Sequence, residues 1–337
     1  MVAAGKEPSF EQISSAADER AGKSSRAGRI PERSSPFDYI FLMRPMILIP
    51  VWTFFLLGAH HAAISHQATV NTARLIEGFV SFTLLLGSVY IVNQITDRES
   101  DLANDKLFLL SHGIVSTRNA KIESALLTAV SFAVAAILLP PRFMIVLALS
   151  AMLGAAYSIR PARFKARPVL DVASNAVGNG ILNTLAGWVL VYPHLDGWLL
   201  LIPYPFAVAG VHLATTLADI RGDREKSLKT SGTVLGERKG IIVSTILMAV
   251  ATVLAYIVNN RLAFYASLFS LPFFLVPSSA RNNVSIGRLS LVPVKAATLI
   301  FSISIGTVFR SYLLFIVIAM FLTKIYYSKR FAMKYPL

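Results

Sequence analysis

Residues 73–101 read ARLIEGFVSFTLLLGSVYIVNQITDRESD. The stretch starts as an apolar run over 73–96, and about 20 such residues are enough to carry a helix across a bilayer. It ends in a polar segment where Asn93, Asp97 and Asp101 recur every fourth position. On a continuing helix these three share one face. Carboxylates next to hydrocarbon are costly unless paired or metal-bound, and two on one face repel each other. Two readings stand at this point: solvated interfacial acids balanced by Arg98, or ligands of a divalent cation.

Working outward, further apolar blocks run over 38–63, 120–139, 142–159, 169–192, 198–218, 239–258 and 262–280, and a last one over 291–327. That last block is too long for one ordinary crossing, and Gly306 and Arg310 are its natural breaks. The expected fold is therefore all-α, a polytopic transmembrane helix bundle of nine or ten spans. With 55% hydrophobic residues, 15% charged residues and no cysteine in 337 positions, the chain is neither a water-soluble enzyme nor a disulfide scaffold. The net charge of +14 falls mostly in short loops, where lipid headgroups rather than nucleic acid are the expected partner. No protein partner can be inferred. Loops 98–121, 159–168, 219–240 and 281–288 carry 16 Lys and Arg, whereas the opposite connections carry Arg74, Arg142 and Arg261. The positive-inside rule then puts the N-terminus and the basic loops in the cytoplasm, with the protein integral to a bacterial inner membrane. Residues 1–35, polar and Ser-rich, are expected to form a disordered cytosolic tail ahead of a single membrane domain over 36–330.

The acid pattern repeats. The sixth block ends in Thr215-Thr216-Leu217-Ala218-Asp219-Ile220-Arg221-Gly222-Asp223, again two acids four apart at the same cytoplasmic level. Two such pairs suit Mg²⁺, which takes carboxylate oxygens together with substrate phosphates. Nearby Arg98, Lys106, Arg221, Arg224, Lys226 and Lys229 fit a polyanion bridged by metal better than a bare cation site. The loop after the fourth block reads Tyr157-Ser158-Ile159-Arg160-Pro161-Ala162-Arg163-Phe164-Lys165. In the fifth block Asp171, Asn175, Asn179 and Asn183 form a polar stripe. It reads either as the wall of a substrate cavity, above all at Asp171 and Asn175, or as interhelical hydrogen bonding, with Gly178 and Gly180 allowing close packing. His212 lies seven before Asp219, on the same helix face. His60, His61 and His66 read as solvated residues of an external loop.

Taken together, Asn93-xxx-Asp97-xxx-Asp101, the Tyr157–Lys165 loop, Asp219-xxx-Asp223 followed by Lys229-Thr230, and Arg44-Pro45 at the first span resemble the UbiA superfamily of intramembrane prenyltransferases. The resemblance covers residues 36 to about 330. It implies nine helices around a lateral, lipid-accessible cavity, and Mg²⁺-dependent transfer of a prenyl group from an allylic prenyl diphosphate to a lipophilic or aromatic acceptor. By the same resemblance Asp97, Asp101, Asp219 and Asp223 hold Mg²⁺ with Asn93 assisting. Arg44, Arg163, Lys165 and Lys229 contact the diphosphate, and Tyr157 faces the allylic cation. Asp171, Asn175 and His212 are the candidates for acceptor contact. Family members carry Asn-x-x-Arg-Pro after the first motif; this chain has Asn104-Asp105-Lys106-Leu107-Phe108, so Lys106 stands in for the arginine. Two rival classes remain: a secondary transporter, which would place its charges near mid-membrane, and a prenyl-diphosphate cyclase using the same metal site without an acceptor.

Overall fold

The computed structural model describes residues 33–103, 108–225, 228–280 and 282–332, and every element among them is helical. Helix α1 (Pro36–Leu42) starts at a capping box. The Ser35 side chain accepts from the Phe37 N–H, and Asp38 Oδ2 accepts from the Ser35 N–H at 2.7 Å. Ser35, placed in the tail by sequence, is thus part of the folded chain.

The bundle then runs through α2 (Pro45–His66), α3 (Thr72–Ala103), a short α4 (Phe108–Ser111), α5 (Thr117–Leu138) and α6 (Pro141–Ser158). The fifth crossing is a rod in three pieces: α7 (Leu170–Asn175), a π-helical stretch Ala176–Leu182, and α8 (Asn183–Val191). After it come α9 (Pro203–Glu225), α10 (Ser231–Ile257), α11 (Arg261–Ser278), a short α12 (Asn283–Leu289), α13 (Leu291–Gly306) and α14 (Arg310–Phe331). Among the described residues nine helices are long and apolar enough to cross a membrane. The chain is an integral membrane protein. The three-piece rod, divided by its π turn, adds one more apolar segment.

The long last block splits where glycine permits: a Cβ on Gly306 would sit 2.3 Å from Leu313 Cδ2, so α14 folds back closely against α13. The far end of α14 then returns to α1. Asp38 is fully buried; it accepts from the Tyr326 hydroxyl at 2.6 Å and from Arg330 at 2.8 Å and 3.2 Å. Both ends of the bundle therefore lie on one face, which requires an even number of crossings. Among the described residues the nine apolar helices and the three-piece rod together meet it, in line with the nine or ten spans expected from sequence. Arg330→Ala would strand a buried carboxylate. Because Arg330 is itself 23% exposed, we expect a loss of about 2–3 kcal/mol, below the range for fully buried pairs, measurable as a lower Tm in detergent.

Small polar residues stitch the helices together. Ser81 meets Ser131, and Ser88 meets Ser124 and Thr128, between α3 and α5. Thr53 on α2 lies 2.8 Å from both the Ser302 and the Tyr312 hydroxyls. The histidine reading needs correction: His61 is buried inside α2, with Nε2 2.6 Å from the Tyr204 hydroxyl, and His66 stacks on Tyr192 at 3.5 Å. An imidazole carries both an apolar face and a polar tip, so a helix end can absorb it where a hydroxyl is available.

Candidate active site

A cavity of about 640 Å³ opens between α2, α3, α6, the three-piece rod and α9. Its lining includes Asn93, Asp97 and Asp101 from α3 and Asp219 and Asp223 from α9, so the two acid motifs do meet in one mouth. Arg44, Tyr157, Arg163, Lys165, Asp171, Asn175 and His212 line it as well. Lys229 does not, although Leu228 and Thr230 on either side of it do. Lys106 lies outside the described residues.

The local backbone explains how two of the cations get there. Arg44 (φ 59) is the joint between α1 and α2, and Arg163 (φ 38) breaks the loop after α6; both are left-handed. Non-glycine residues in that region cost about 1–3 kcal/mol and gather where function holds them. Pro45 at the first turn of α2 cannot continue a helix backward, which fixes the joint.

Lys165 closes the loop onto the first motif. Its ammonium donates to Asn93 Oδ1 and Thr96 Oγ1, both at 2.8 Å, and pairs with Asp97 Oδ1 at 2.7 Å. Ser158 also donates to Asn93 Oδ1, at 3.1 Å. Burial pushes the Lys165 ammonium below the usual lysine range, and the Asp97 carboxylate draws it part of the way back. In the second motif Asp223 Oδ2 accepts from the Thr230 hydroxyl at 3.1 Å. Three basic residues expected near the acids serve elsewhere: Arg98 donates to the Leu110 carbonyl, Arg221 pairs with Glu225, and Arg224 with Glu237.

Asp171 is fully buried, and its carboxylate accepts from the Ser231 N–H at 2.7 Å and the Ser231 hydroxyl at 2.5 Å. It thereby holds the start of α10, and with it Thr230, against the mouth. The asparagines form a ladder down the wall. Asn183 Nδ2 donates to Asn179 Oδ1 at 3.0 Å, and Asn179 Nδ2 to Asn175 Oδ1 at 3.3 Å. Asn175 sits 3.2 Å from His212 Nε2, and Tyr157 lines the same cavity. The ladder runs through the π-helical stretch, a geometry frequent at functional sites. Gly180 gives the close approach expected of it, since a Cβ there would meet Pro205 Cα at 2.5 Å, but Gly178 faces the cavity with only Leu153 nearby. Sequence reasoning gave no role to Ser158 and Thr230, which lie inside recognised motifs, or to Ser231 just beyond one; their partners Asn93, Asp223 and Asp171 lie on other segments.

Residues 48–286 match the model of the UbiA prenyltransferase family. The chain belongs to this family. Among curated relatives, it is 31% identical over 159 residues to the C(50) beta-cyclic carotenoids biosynthesis protein LbtBC of Dietzia sp., covering 46% of this chain and 37% of that one. It is 30% identical over 188 residues to the bacteriochlorophyll synthase 34 kDa chain of Chloroflexus aurantiacus, covering 55% and 59%. The matched chain thus spans less than two thirds of either relative. The structure of a UbiA homolog from Archaeoglobus fulgidus bound to DMAPP and Mg²⁺ superimposes with TM-score 0.62 at 20% identity, covering 79% of this chain and 99% of that one. At that identity the likeness establishes the fold of this UbiA family member.

Among the described residues no three His or acidic side chains converge into a ready-made metal cluster. This donor set still fits Mg²⁺, which is usually held by one or two carboxylates plus substrate phosphates and water rather than by an all-protein cage.

Proposed function

We propose that the chain transfers a prenyl group from an allylic prenyl diphosphate to a lipophilic or aromatic acceptor inside the bilayer. The observation that supports this most is one cavity with four carboxylates and the Arg44, Arg163 and Lys165 cations at its mouth, continued by an apolar wall of Ile47, Pro50, Leu86, Val89 and Leu153. Asp97 and Asp101 would hold one Mg²⁺ and Asp219 and Asp223 another; when bound, these ions would supply positive charge to offset the charge of the leaving pyrophosphate. Arg44 and Arg163 offer planar donors to phosphate oxygens, and Lys165 adds a point charge. The C1–O bond breaks with its electron pair leaving on pyrophosphate. The Tyr157 ring at the mouth presents a π face to the developing allylic cation. The acceptor then bonds to C1 and releases a proton. We read the mouth and basic loops as cytoplasmic, in a bacterial inner membrane, a reading that the 16-to-3 split of loop cations supports. Of the 1–35 segment read from sequence as a cytosolic tail, the part ahead of the described residues, 1–32, is proposed to be dispensable for turnover.

A transporter would need its charges near mid-membrane, whereas these acids sit at helix ends beside basic loops. A cyclase would have no need of an acceptor. Radiolabelled geranylgeranyl diphosphate given to membranes expressing the chain distinguishes the three readings: a prenylated lipid with pyrophosphate release for transfer, a cyclised hydrocarbon for a cyclase, and unaltered diphosphate for a transporter.

Asn175 and His212 are proposed as acceptor contacts, and Asp171 as the residue that positions α10. Asn175→Ala is then expected to change acceptor choice or raise the acceptor KM by about tenfold, with the prenyl-diphosphate KM within about twofold. Asp171→Ala leaves the Ser231 donors unpaired and is expected to cost about 1–3 kcal/mol of stability. Steady-state kinetics beside thermal denaturation separate the two outcomes. Identical behaviour of both variants would remove the division of roles.

A further inference from the structure

Gln94 follows Asn93 directly on α3, yet it is 2% exposed and does not line the cavity. One residue along a helix turns the side chain by about 100°, so α3 presents Asn93 to the mouth and Gln94 to the chain packed beside it. There the Gln94 amide nitrogen donates to the Leu42 carbonyl at 2.8 Å and to the Tyr90 carbonyl at 3.1 Å. Two carbonyl acceptors settle which end of the carboxamide carries the hydrogens. Leu42 is the last residue of α1, and the final carbonyls of a helix lack intrahelical partners. Gln94 supplies the missing donor from another crossing.

The same joint is gripped a second time. Gly87 lies seven residues before Gln94, on the same face of α3, and a Cβ there would stand 2.4 Å from Met43 Cε and 3.1 Å from its Cγ. The Met43 side chain therefore lies against bare backbone. Leu42 is held by its carbonyl and Met43 by its side chain, and the next residue is Arg44. Its φ of 59 opens α2, and its side chain lines the cavity with Asn93 and Asp97. A left-handed arginine persists only where its surroundings over-determine it. Pro45 restricts the far side of the joint, while Gln94 and Gly87 tie the near side to the helix that carries the first acid motif.

We propose that Gln94 is a positioning residue for the diphosphate site. Its carboxamide holds the α1–α2 joint, and with it the Arg44 guanidinium, in register with Asn93 and Asp97, so one turn of α3 serves both the acids and the arginine. The residue type follows from the two carbonyls. Glutamate would face them with oxygen, methionine has the length but no hydrogen to donate, and asparagine has the amide but a shorter reach.

The inference rests on Arg44 contacting the diphosphate, as proposed above, and a double-variant cycle keeps the two apart. Geranyl diphosphate with Mg²⁺ is titrated into the full chain in lipid nanodiscs, for the wild type, Arg44→Ala, Gln94→Met and the double variant. Each single variant is expected to weaken binding about tenfold, and the double variant no further than Arg44→Ala alone. A merely structural Gln94 would lower Tm without that coupling. Wild-type affinity in Gln94→Met, or a loss that recurs in full in the Arg44→Ala background, overturns the positioning role and leaves the Arg44 contact standing. Wild-type affinity in Arg44→Ala removes the contact and the positioning role together, as does a wild type that binds no geranyl diphosphate. Should Gln94→Met not accumulate in membranes, Gln94→Asn carries the same expectations.

Discussion

Asp97→Asn and Asp219→Asn are each expected to lower turnover by roughly 10²–10³-fold or more, in protein that inserts and elutes as the wild type does. The substitution keeps shape and hydrogen bonding but removes the charge a divalent ion needs. Asp97 and Asp219 stand on different helices, α3 and α9, yet line one mouth. If each pair serves one ion, either loss leaves half of the pyrophosphate charge unbalanced, and the second pair does not compensate. Asp97→Asn carries an additional signature. It releases Lys165 from its 2.7 Å ion pair, so prenyl-diphosphate affinity is expected to fall less than turnover does. Full activity of either variant in saturating Mg²⁺ contradicts the metal assignment.

The largest stability effect is expected at two glycines remote from the chemistry. Helices α2 and α8 touch backbone to backbone: a Cβ on Gly58 would lie 1.8 Å from the Thr184 carbonyl oxygen, and one on Gly187 1.8 Å from the Phe55 carbonyl oxygen. Each obstacle is main chain inside a helix, which has no rotamer to change. Overpacking ordinarily costs about 1–3 kcal/mol when side chains absorb it; here whole helices must separate, so Gly58→Ala and Gly187→Ala are each expected to cost about 3 kcal/mol or more. Membrane yield and Tm in detergent measure this. Gly178→Ala is the control on the same rod, because its new methyl meets only Leu153 Cδ2 at 3.4 Å. A tolerated Gly187→Ala contradicts the packing described.

What was legible in the sequence follows from the range of each interaction. Apolar runs announce crossings because a helix long enough to span a bilayer is a local property. The face shared by Asn93, Asp97 and Asp101 is likewise local, set by helical periodicity. That α3 and α9 deliver their acids to the same mouth is a long-range fact, available beforehand only through the family resemblance. Beyond that resemblance, sequence was silent. Asp38 finds Arg330 at the opposite end of the chain, and Asp171 finds Ser231 across an intervening crossing. His61 was read as solvated because a run of histidines looks polar, and the Tyr204 hydroxyl that receives it lies five crossings on. The π turn at Ala176–Leu182 has no periodicity signal of its own. It shows in sequence only as two glycines inside an asparagine stripe, which reads equally well as packing.

The central claim is that this cavity breaks the C1–O bond of an allylic diphosphate and passes the chain to an acceptor in the membrane. Its most direct test supplies radiolabelled dimethylallyl, geranyl and geranylgeranyl diphosphates in turn, with Mg²⁺, to membranes containing the wild type or Asp97→Asn. Label in the lipid extract and pyrophosphate in the aqueous phase are followed together. With at least one donor, the wild type should move label into a new lipid with an equal amount of pyrophosphate, and Asp97→Asn should not. Label that stays on the diphosphate in wild-type membranes, or reaches the same lipid at the same rate with the variant, would contradict the claim.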